Sequence, residues 1–145
     1  MKDLPRILVV DDVPHRLRKV LDTITSAGYQ VMEAASGEEA LTLVAECRPD
    51  LLLLSDSLPG AVGLCRAIRE DPLLAGMAIL LLSHGREFAD RRAEALHLGA
   101  DGCLAPALGQ AELLAQVQAV LRLVRDNEVL RQSQERFKAQ YKGLP

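Results

Sequence analysis

The chain has 145 residues, of which 49% are hydrophobic and 3% aromatic, and its formal net charge is −3. This is enough apolar material for the core of one domain of ordinary size. The scarcity of aromatic side chains argues against a stacking platform for single-stranded nucleic acid, and the negative charge gives no electrostatic basis for binding phosphates. We therefore expect no nucleic acid partner for this domain.

Targeting and membrane signals are missing from the printed sequence. No apolar run approaches the roughly 18 residues of a membrane-spanning helix. Asp11 and Asp12 follow the first apolar run too early for a signal peptide. Cys47, Cys65 and Cys103 lack the spacing of a metal site, and we expect them to be reduced core thiols. Together these features predict a cytoplasmic protein without a membrane contact.

Strands and helices alternate along the chain. Short apolar runs predict strands at 7–10, 30–34, 51–54, 78–82 and 103–105. Between and after them, helical spacing of apolar residues predicts five helices, at 14–27, from 36, around 62–68, at 86–98 and from 110 onward. Ser36 and Glu39 have the spacing of a capping box. This alternation predicts an α/β fold with a parallel sheet.

Four consecutive leucines at 51–54 are typical of a strand buried on both faces. The run ends in Ser55, Asp56 and Ser57, followed by Leu-Pro-Gly at 58–60. In an open parallel sheet, functional sites lie in the loops at the carboxyl ends of strands. These three polar residues are therefore candidates for the site.

Several motifs resemble the receiver domain of bacterial two-component response regulators. They are Ile-Leu-Val-Val-Asp-Asp at 7–12, Ala-Ala-Ser-Gly-Glu-Glu-Ala-Leu at 34–41, Arg-Pro-Asp-Leu-Leu-Leu-Leu at 48–54, Leu-Pro-Gly at 58–60, Leu-Leu-Leu-Ser at 80–83 and Gly-Ala-Asp-Gly at 99–102. The resemblance covers about residues 5–125. It implies a flavodoxin-like, doubly wound (βα)5 fold with strand order 2-1-3-4-5.

The resemblance also implies roles for individual residues. In the family, an Asp after the third strand accepts a phosphoryl group from a partner's phosphohistidine, and an acidic pair after the first strand holds Mg²⁺. A Ser or Thr after the fourth strand and a Lys after the fifth contact the phosphoryl group. Asp11 and Asp12 match the acidic pair, and Ser83 matches the hydroxyl.

Two positions depart from the family pattern. Counting back from Pro59 and counting forward from Pro49 both place Ser55 at the acceptor position. Asp56 therefore follows the acceptor position by one residue. No Lys or Arg occurs between Arg92 and Arg122, and Pro106 stands at the expected lysine position. Without a carboxylate nucleophile and a second positive charge, phosphoryl transfer loses its main sources of catalysis. Together with the resemblance, these two departures predict a degenerate pseudo-receiver.

Alternatives stay open for the residues of this site, whose pocket also includes Ser57, Ser83, His84 and Pro106. Asp11 and Asp12 are either exposed, solvated acids or a weak Mg²⁺ site. We expect the domain to require no cofactor. Asp56 is either a loop carboxylate or a displaced phosphoacceptor that works with Mg²⁺. Asp56 would reach the pocket only if the strand end bulged, because one step along a strand turns a side chain to the other face.

The C-terminal residues form a separate segment in this interpretation. Residues 1–125 are the receiver-like domain, and 126–145 are a helical linker that resembles the lead into a PAS or other output domain. Leu123, Leu130 and Phe137 form one heptad row; a second is Val120, Asn127, Gln134 and Tyr141. The pattern predicts a weak, parallel coiled-coil homodimer over about 120–141. A single frayed helix is the alternative.

These observations predict a signalling module rather than an enzyme. We expect it to act by protein–protein interaction and through its C-terminal helix, with a histidine kinase or an output domain as partner. The alternative is a working receiver that is phosphorylated on Asp56. A flavin-binding domain is disfavoured, because the loop after the first strand is acidic where a phosphate-binding loop needs N–H donors.

Overall fold

A computed structural model describes the backbone at residues 4–83, 93–94, 96–105 and 109–141, and side chains in those ranges except at 127, 128, 131 and 137–141. Within these ranges there are five strands, β1 to β5, at Arg6–Val10, Gln30–Ala34, Leu51–Ser55, Ala78–Leu82 and Gly102–Leu104. Its helices are α1 at Pro14–Ser26, α2 at Gly37–Cys47, α3 at Ala61–Glu70, and a C-terminal helix at Gln110–Tyr141.

All five strands are parallel and lie in the order β2-β1-β3-β4-β5. This confirms the flavodoxin-like fold predicted from the sequence. The four leucines of β3 are each 0% exposed, as expected for a central strand with helices on both faces.

The core has two layers because side chains alternate across a strand. Leu51 and Leu53 pack in the layer that contains Ile24 of α1 and Val117 of the C-terminal helix. Leu52 and Leu54 pack in the opposite layer, which contains residues of α2 and α3 such as Ile68. The sheet is therefore covered on both sides, and its strand ends are the edges at which polar groups can gather.

Helix α2 begins at the predicted capping box. The Ser36 hydroxyl accepts a hydrogen bond from the Glu39 N–H at 3.2 Å, and the Glu39 carboxylate accepts one from the Ala35 N–H at 3.2 Å. These bonds satisfy backbone donors that a helix start leaves without partners.

Some predicted boundaries need correction. Strand β5 is Gly102–Leu104 rather than 103–105, and Val62, one of the apolar residues whose spacing predicted α3, is 43% exposed. The predicted helix at 86–98 lies largely outside the described residues, although 93–94 and 96–97 are helical.

The C-terminal helix has two parts with different surroundings. Leu113, Val117 and Val120 are buried against the sheet, while Leu123 and Leu130 are 61% and 57% exposed. Burial against the sheet therefore ends near the predicted domain boundary, although the helix continues to Tyr141. Val120 belongs to the core, so the expected coiled-coil seam can begin only after it. Within the described ranges, no helix has the length and apolar character needed to cross a bilayer.

Candidate functional site

The polar residues predicted for the site gather at one edge of the sheet. Val10 pairs with Leu54 and Ser55 pairs with Leu82, so Asp11, Ser55 and Ser83 come at or just after the carboxyl ends of three adjacent strands. We refer to Asp11, Asp12, Arg16, Ser55 and Ser57 together as the strand-end pocket, because ion pairs or hydrogen bonds connect these residues.

Asp11 is bound by an arginine of its own chain. Arg16 Nε donates to Asp11 Oδ2 at 3.1 Å, and Arg16 Nη2 donates to Asp11 Oδ1 at 3.0 Å. The Val13 N–H also donates to Asp11 Oδ1, at 3.0 Å. Bidentate pairing of this kind is the strongest common geometry between a guanidinium and a carboxylate.

The expectation that Asp11 is exposed and merely solvated is wrong. Its side chain is only 4% exposed, and its charge is tolerated there because the guanidinium and an N–H compensate for lost water. Asp12 differs, since its side chain is 41% exposed and its carboxylate lies 4.0 Å from Arg16 Nη2. The two acids therefore have different environments despite being adjacent in sequence.

A chain of hydrogen bonds connects Arg16 to the end of β3. Arg16 Nη2 donates to Ser57 Oγ at 2.8 Å, and Ser57 Oγ lies 3.0 Å from Ser55 Oγ, where either hydroxyl can donate. Ser55 is 0% exposed. The hydroxyl at the predicted acceptor position is thus buried and held in a network that leads to the cation.

Asp56 lies at the turn that follows β3. Its backbone N–H donates to the Leu82 carbonyl at 3.0 Å, and its side chain is partly exposed. It lines a cavity of about 40 Å³ together with Cys65 and Cys103, which belong to the α2–α3 layer of the core. Ser55 has the same side-chain alternation as Leu51 and Leu53, which pack in the other layer. Asp56 therefore borders the layer that Ser55 does not face, in agreement with the one-residue offset.

Ser83 is buried at the end of β4, with 1% exposure. Its N–H donates to the Leu104 carbonyl at 3.0 Å, while its hydroxyl has no hydrogen-bond partner among the residues that the structure describes. The other two predicted site residues, His84 and Pro106, lie outside the described residues.

Arg16 is the main site residue that the sequence analysis missed. It stands four residues after Asp12, a spacing at which opposite charges meet on a helix, and this was an available signal. Its partner is instead chiefly Asp11, which precedes the helix. That contact depends on how the loop at 11–13 turns into α1, which spacing alone does not predict.

Magnesium, which the family resemblance implies, does not fit the residues as they are placed. Both oxygens of Asp11 are engaged by Arg16, and Ser55 offers a hydroxyl where a third carboxylate would be needed. Among the described residues, no three His, Cys, Asp or Glu side chains are grouped so that they could hold a metal ion.

One thiol near this edge has a shifted pKa. Burial of Cys65 raises the pKa of its thiol above the ordinary value of 9.0, and the positive charge of Arg69 opposes this with a smaller effect. Cys65 therefore stays protonated at neutral pH, which does not favour a role as a nucleophile.

Comparison with known proteins gives consistent matches. The profile of the family described as "Response regulator receiver domain" matches residues 7–118. The chain is 33% identical over 118 residues to the phosphate regulon transcriptional regulatory protein PhoB of Pseudomonas aeruginosa, covering 80% of this chain and 51% of that protein. It is 32% identical over 129 residues to the response regulator PleD of Caulobacter vibrioides, covering 88% of this chain and 28% of that protein.

Solved structures agree with these matches. The chemotaxis response regulator CheY4 of Vibrio cholerae superimposes with a TM-score of 0.74 at 28% identity, covering 81% of this chain and 99% of that chain. The chain spans about half the length of the PhoB relative, so the matches concern the receiver portion of such proteins.

Proposed function

Because the chain belongs to the response regulator receiver family of two-component systems, we propose that it is an atypical member that signals without accepting a phosphoryl group. In this proposal it acts by contact with other proteins and passes conformational changes along its C-terminal helix. Its partners are a histidine kinase or an output domain attached to the same chain.

The observation that carries the proposal is the buried hydroxyl of Ser55 at the end of β3. An acceptor must present a carboxylate to the incoming phosphorus, whereas Ser55 is 0% exposed and bonded to Ser57. A serine needs a general base to become a nucleophile. The nearby carboxylate of Asp11 is occupied by Arg16, so it is not available for that role.

The lysine that contacts the transferring group in the family is also missing from the sequence. No Lys or Arg occurs between Arg92 and Arg122, which includes the whole segment after β5 where the family lysine stands. Phosphoryl transfer depends on neutralising charge on the phosphoryl oxygens. Loss of both acceptor and lysine favours an interaction module over a phosphorylated switch.

Mass spectrometry on the intact protein tests the proposal. The protein is incubated with Mg²⁺ and acetyl phosphate, and we expect its mass to stay unchanged. Asp56→Asn is the matched variant, because Asp56 is the carboxylate nearest in sequence to the acceptor position. A stoichiometric phosphate adduct that disappears in Asp56→Asn would contradict the proposal and establish Asp56 as a displaced acceptor.

The C-terminal helix supports the second part of the proposal. It is anchored in the core by Val117 and Val120 and then extends past the sheet to Tyr141, so movement of the receiver would be passed along it. Exposed leucines at 123 and 130 give a basis for pairing with a second copy. We propose residues 1–125 as the receiver and 126–145 as a dimerising linker.

A further inference from the structure

We infer that Arg16 is the resident cation of the strand-end pocket: its guanidinium takes the place on Asp11 that a divalent metal ion would need, and so closes the pocket to metal. The inference rests on the proposed function only in treating this pocket as that of a receiver. According to this inference, the side chain of Arg16 makes the pocket independent of a bound metal ion.

The geometry of Asp11 supports this assignment. Three N–H donors reach its carboxylate, two from Arg16 and one from Val13, at 3.0–3.1 Å. A metal ion binding to Asp11 would lie close to the Arg16 guanidinium and would compete with it for the two carboxylate oxygens. Because the Asp11 side chain is 4% exposed, water can replace little of what is lost.

Charge leads to the same conclusion. An arginine stays protonated in proteins, so the pocket always contains its positive charge. The carboxylates of Asp11 and Asp12 and the guanidinium of Arg16 sum to −1, whereas the two acids alone would carry −2. The positive charge lowers attraction for a cation and adds direct repulsion at the position where the cation would bind.

The start of α1 explains why Arg16 and not another arginine has this role. The helix begins at Pro14, and Arg16 lies in its first turn, close to the loop that carries Asp11. Arg18, two residues further along the same helix, is exposed and makes no ion pair within the described residues. Arg18 is therefore a matched control with equal charge on the same element.

The test uses Mn²⁺ binding, followed by electron paramagnetic resonance, in a background that supplies the missing carboxylate. Ser55→Asp adds an acid at the end of β3, beside Asp11. We compare Ser55→Asp alone, Ser55→Asp with Arg16→Gln, and Ser55→Asp with Arg18→Gln. Both double variants lose one positive charge, but only one loses the contact with Asp11.

We expect the Arg16→Gln double variant to bind Mn²⁺ about tenfold or more tightly than Ser55→Asp alone, within the usual range of coupling between sites. The Arg18→Gln double variant should behave like Ser55→Asp alone. Equal affinity in all three proteins, no binding in the Arg16→Gln double variant, or equal gains in both double variants would overturn the inference.

The unaltered protein provides a second measurement that does not depend on whether the variants fold. In its nitrogen–proton NMR spectrum, the Arg16 Nε–H should exchange slowly and keep its position when Mg²⁺ is added. Rapid exchange, or loss of this signal together with a shift of the Val13 amide as Mg²⁺ is added, would overturn the inference. These measurements report on metal binding, whereas the proposed function is tested by the presence or absence of a phosphate adduct. Either one can therefore fail without the other.

Discussion

The side chain of Arg69 lies directly against the backbone of Gly99. A Cβ at Gly99 would be 2.8 Å from Arg69 Cγ, and Arg69 Nε donates to the Gly99 carbonyl at 2.7 Å. The same guanidinium donates to the Ala75 carbonyl at 2.7 Å and to Asp101 Oδ2 at 2.8 Å. Arg69 thus ties α3 to the loops that precede β4 and β5, and only glycine leaves room for it at position 99.

Gly99→Ala should therefore destabilise the domain. Gly99 has φ of +100°, which alanine adopts with strain, and the added methyl would push Arg69 off its carbonyls. We expect a loss of about 2 kcal/mol in the free energy of unfolding, measured by urea denaturation. Gly63→Ala is the control, because Gly63 lies inside α3 with open space around it, and should stabilise by roughly 0.5–1 kcal/mol. Equal effects of the two substitutions would contradict this account.

The capping box gives a second prediction. Ser36→Ala removes the acceptor for the Glu39 N–H and should reduce stability by about 1 kcal/mol. Thr42→Ala also deletes a hydroxyl from α2, but one that bonds only to the helix carbonyl of Glu38 on an exposed face. Its effect should be within roughly 0.5 kcal/mol of zero, so similar losses in both variants by thermal denaturation would argue against a specific cap.

The fold could be predicted because its causes are local in sequence. The chemistry of the site could not be predicted, because it depends on which side chains meet in the folded chain. A run such as the four leucines of β3 identifies a buried strand without knowledge of its neighbours. The burial of Asp11 depends on Arg16 reaching back across a turn, and the role of Arg69 depends on a carbonyl 30 residues away. Position on the sheet edge could be predicted, but the partner of each polar group could not.

Thiol reactivity should follow burial. Cys47 is partly exposed, while Cys65 and Cys103 are buried. With Ellman's reagent at neutral pH, we expect one thiol of the native protein, Cys47, to react rapidly and the other two only on unfolding. Cys47→Ser should abolish the rapid phase, and a rapid phase that persists in this variant would show that a buried thiol is accessible.

The raised pKa of Cys65 also predicts how its contribution to stability depends on pH. Burial keeps the folded thiol protonated above 9.0, where the unfolded chain has begun to release that proton. The unfolded state then binds fewer protons than the folded one, so stability falls as the pH rises past 9.0. Between pH 8 and pH 10, urea denaturation should show a greater loss for the unaltered protein than for Cys65→Ala. An equal loss would mean that Cys65 has no shifted pKa.

Restoring the acceptor alone should not restore phosphorylation. Ser55→Asp places a second carboxylate at a fully buried position near Asp11, so we expect reduced stability and little phosphate uptake from acetyl phosphate. Ser55→Asp with Pro106→Lys should take up more, because the lysine supplies charge for the phosphoryl group, and adding Arg16→Gln, which frees Asp11 for Mg²⁺, should raise the uptake further. Ser55→Asn with Pro106→Lys is the control without a nucleophile. High uptake by Ser55→Asp alone would show that the missing lysine is not a barrier.

The exposed leucines of the C-terminal helix lead to a prediction about assembly. Leu121 and Arg125 line a groove together with Pro5 and Tyr29 of the domain body. Leu123 is two residues from Leu121, or roughly 200° around the helix, and therefore faces away from the body. Leu130 follows Leu123 by one heptad, so both lie on one exposed stripe.

A helix with such a stripe is marginally stable alone past the end of the sheet, and pairing with a second copy would bury both leucines. We expect light scattering at high protein concentration to show a weak dimer for the full chain and a monomer for a truncation after Arg125. Leu130→Ser should weaken the dimer several-fold, whereas Leu73→Ser, which changes a 72% exposed leucine elsewhere, should not. If the full chain and the truncation have the same mass, whether monomeric or dimeric, the C-terminal helix is not the dimerisation element.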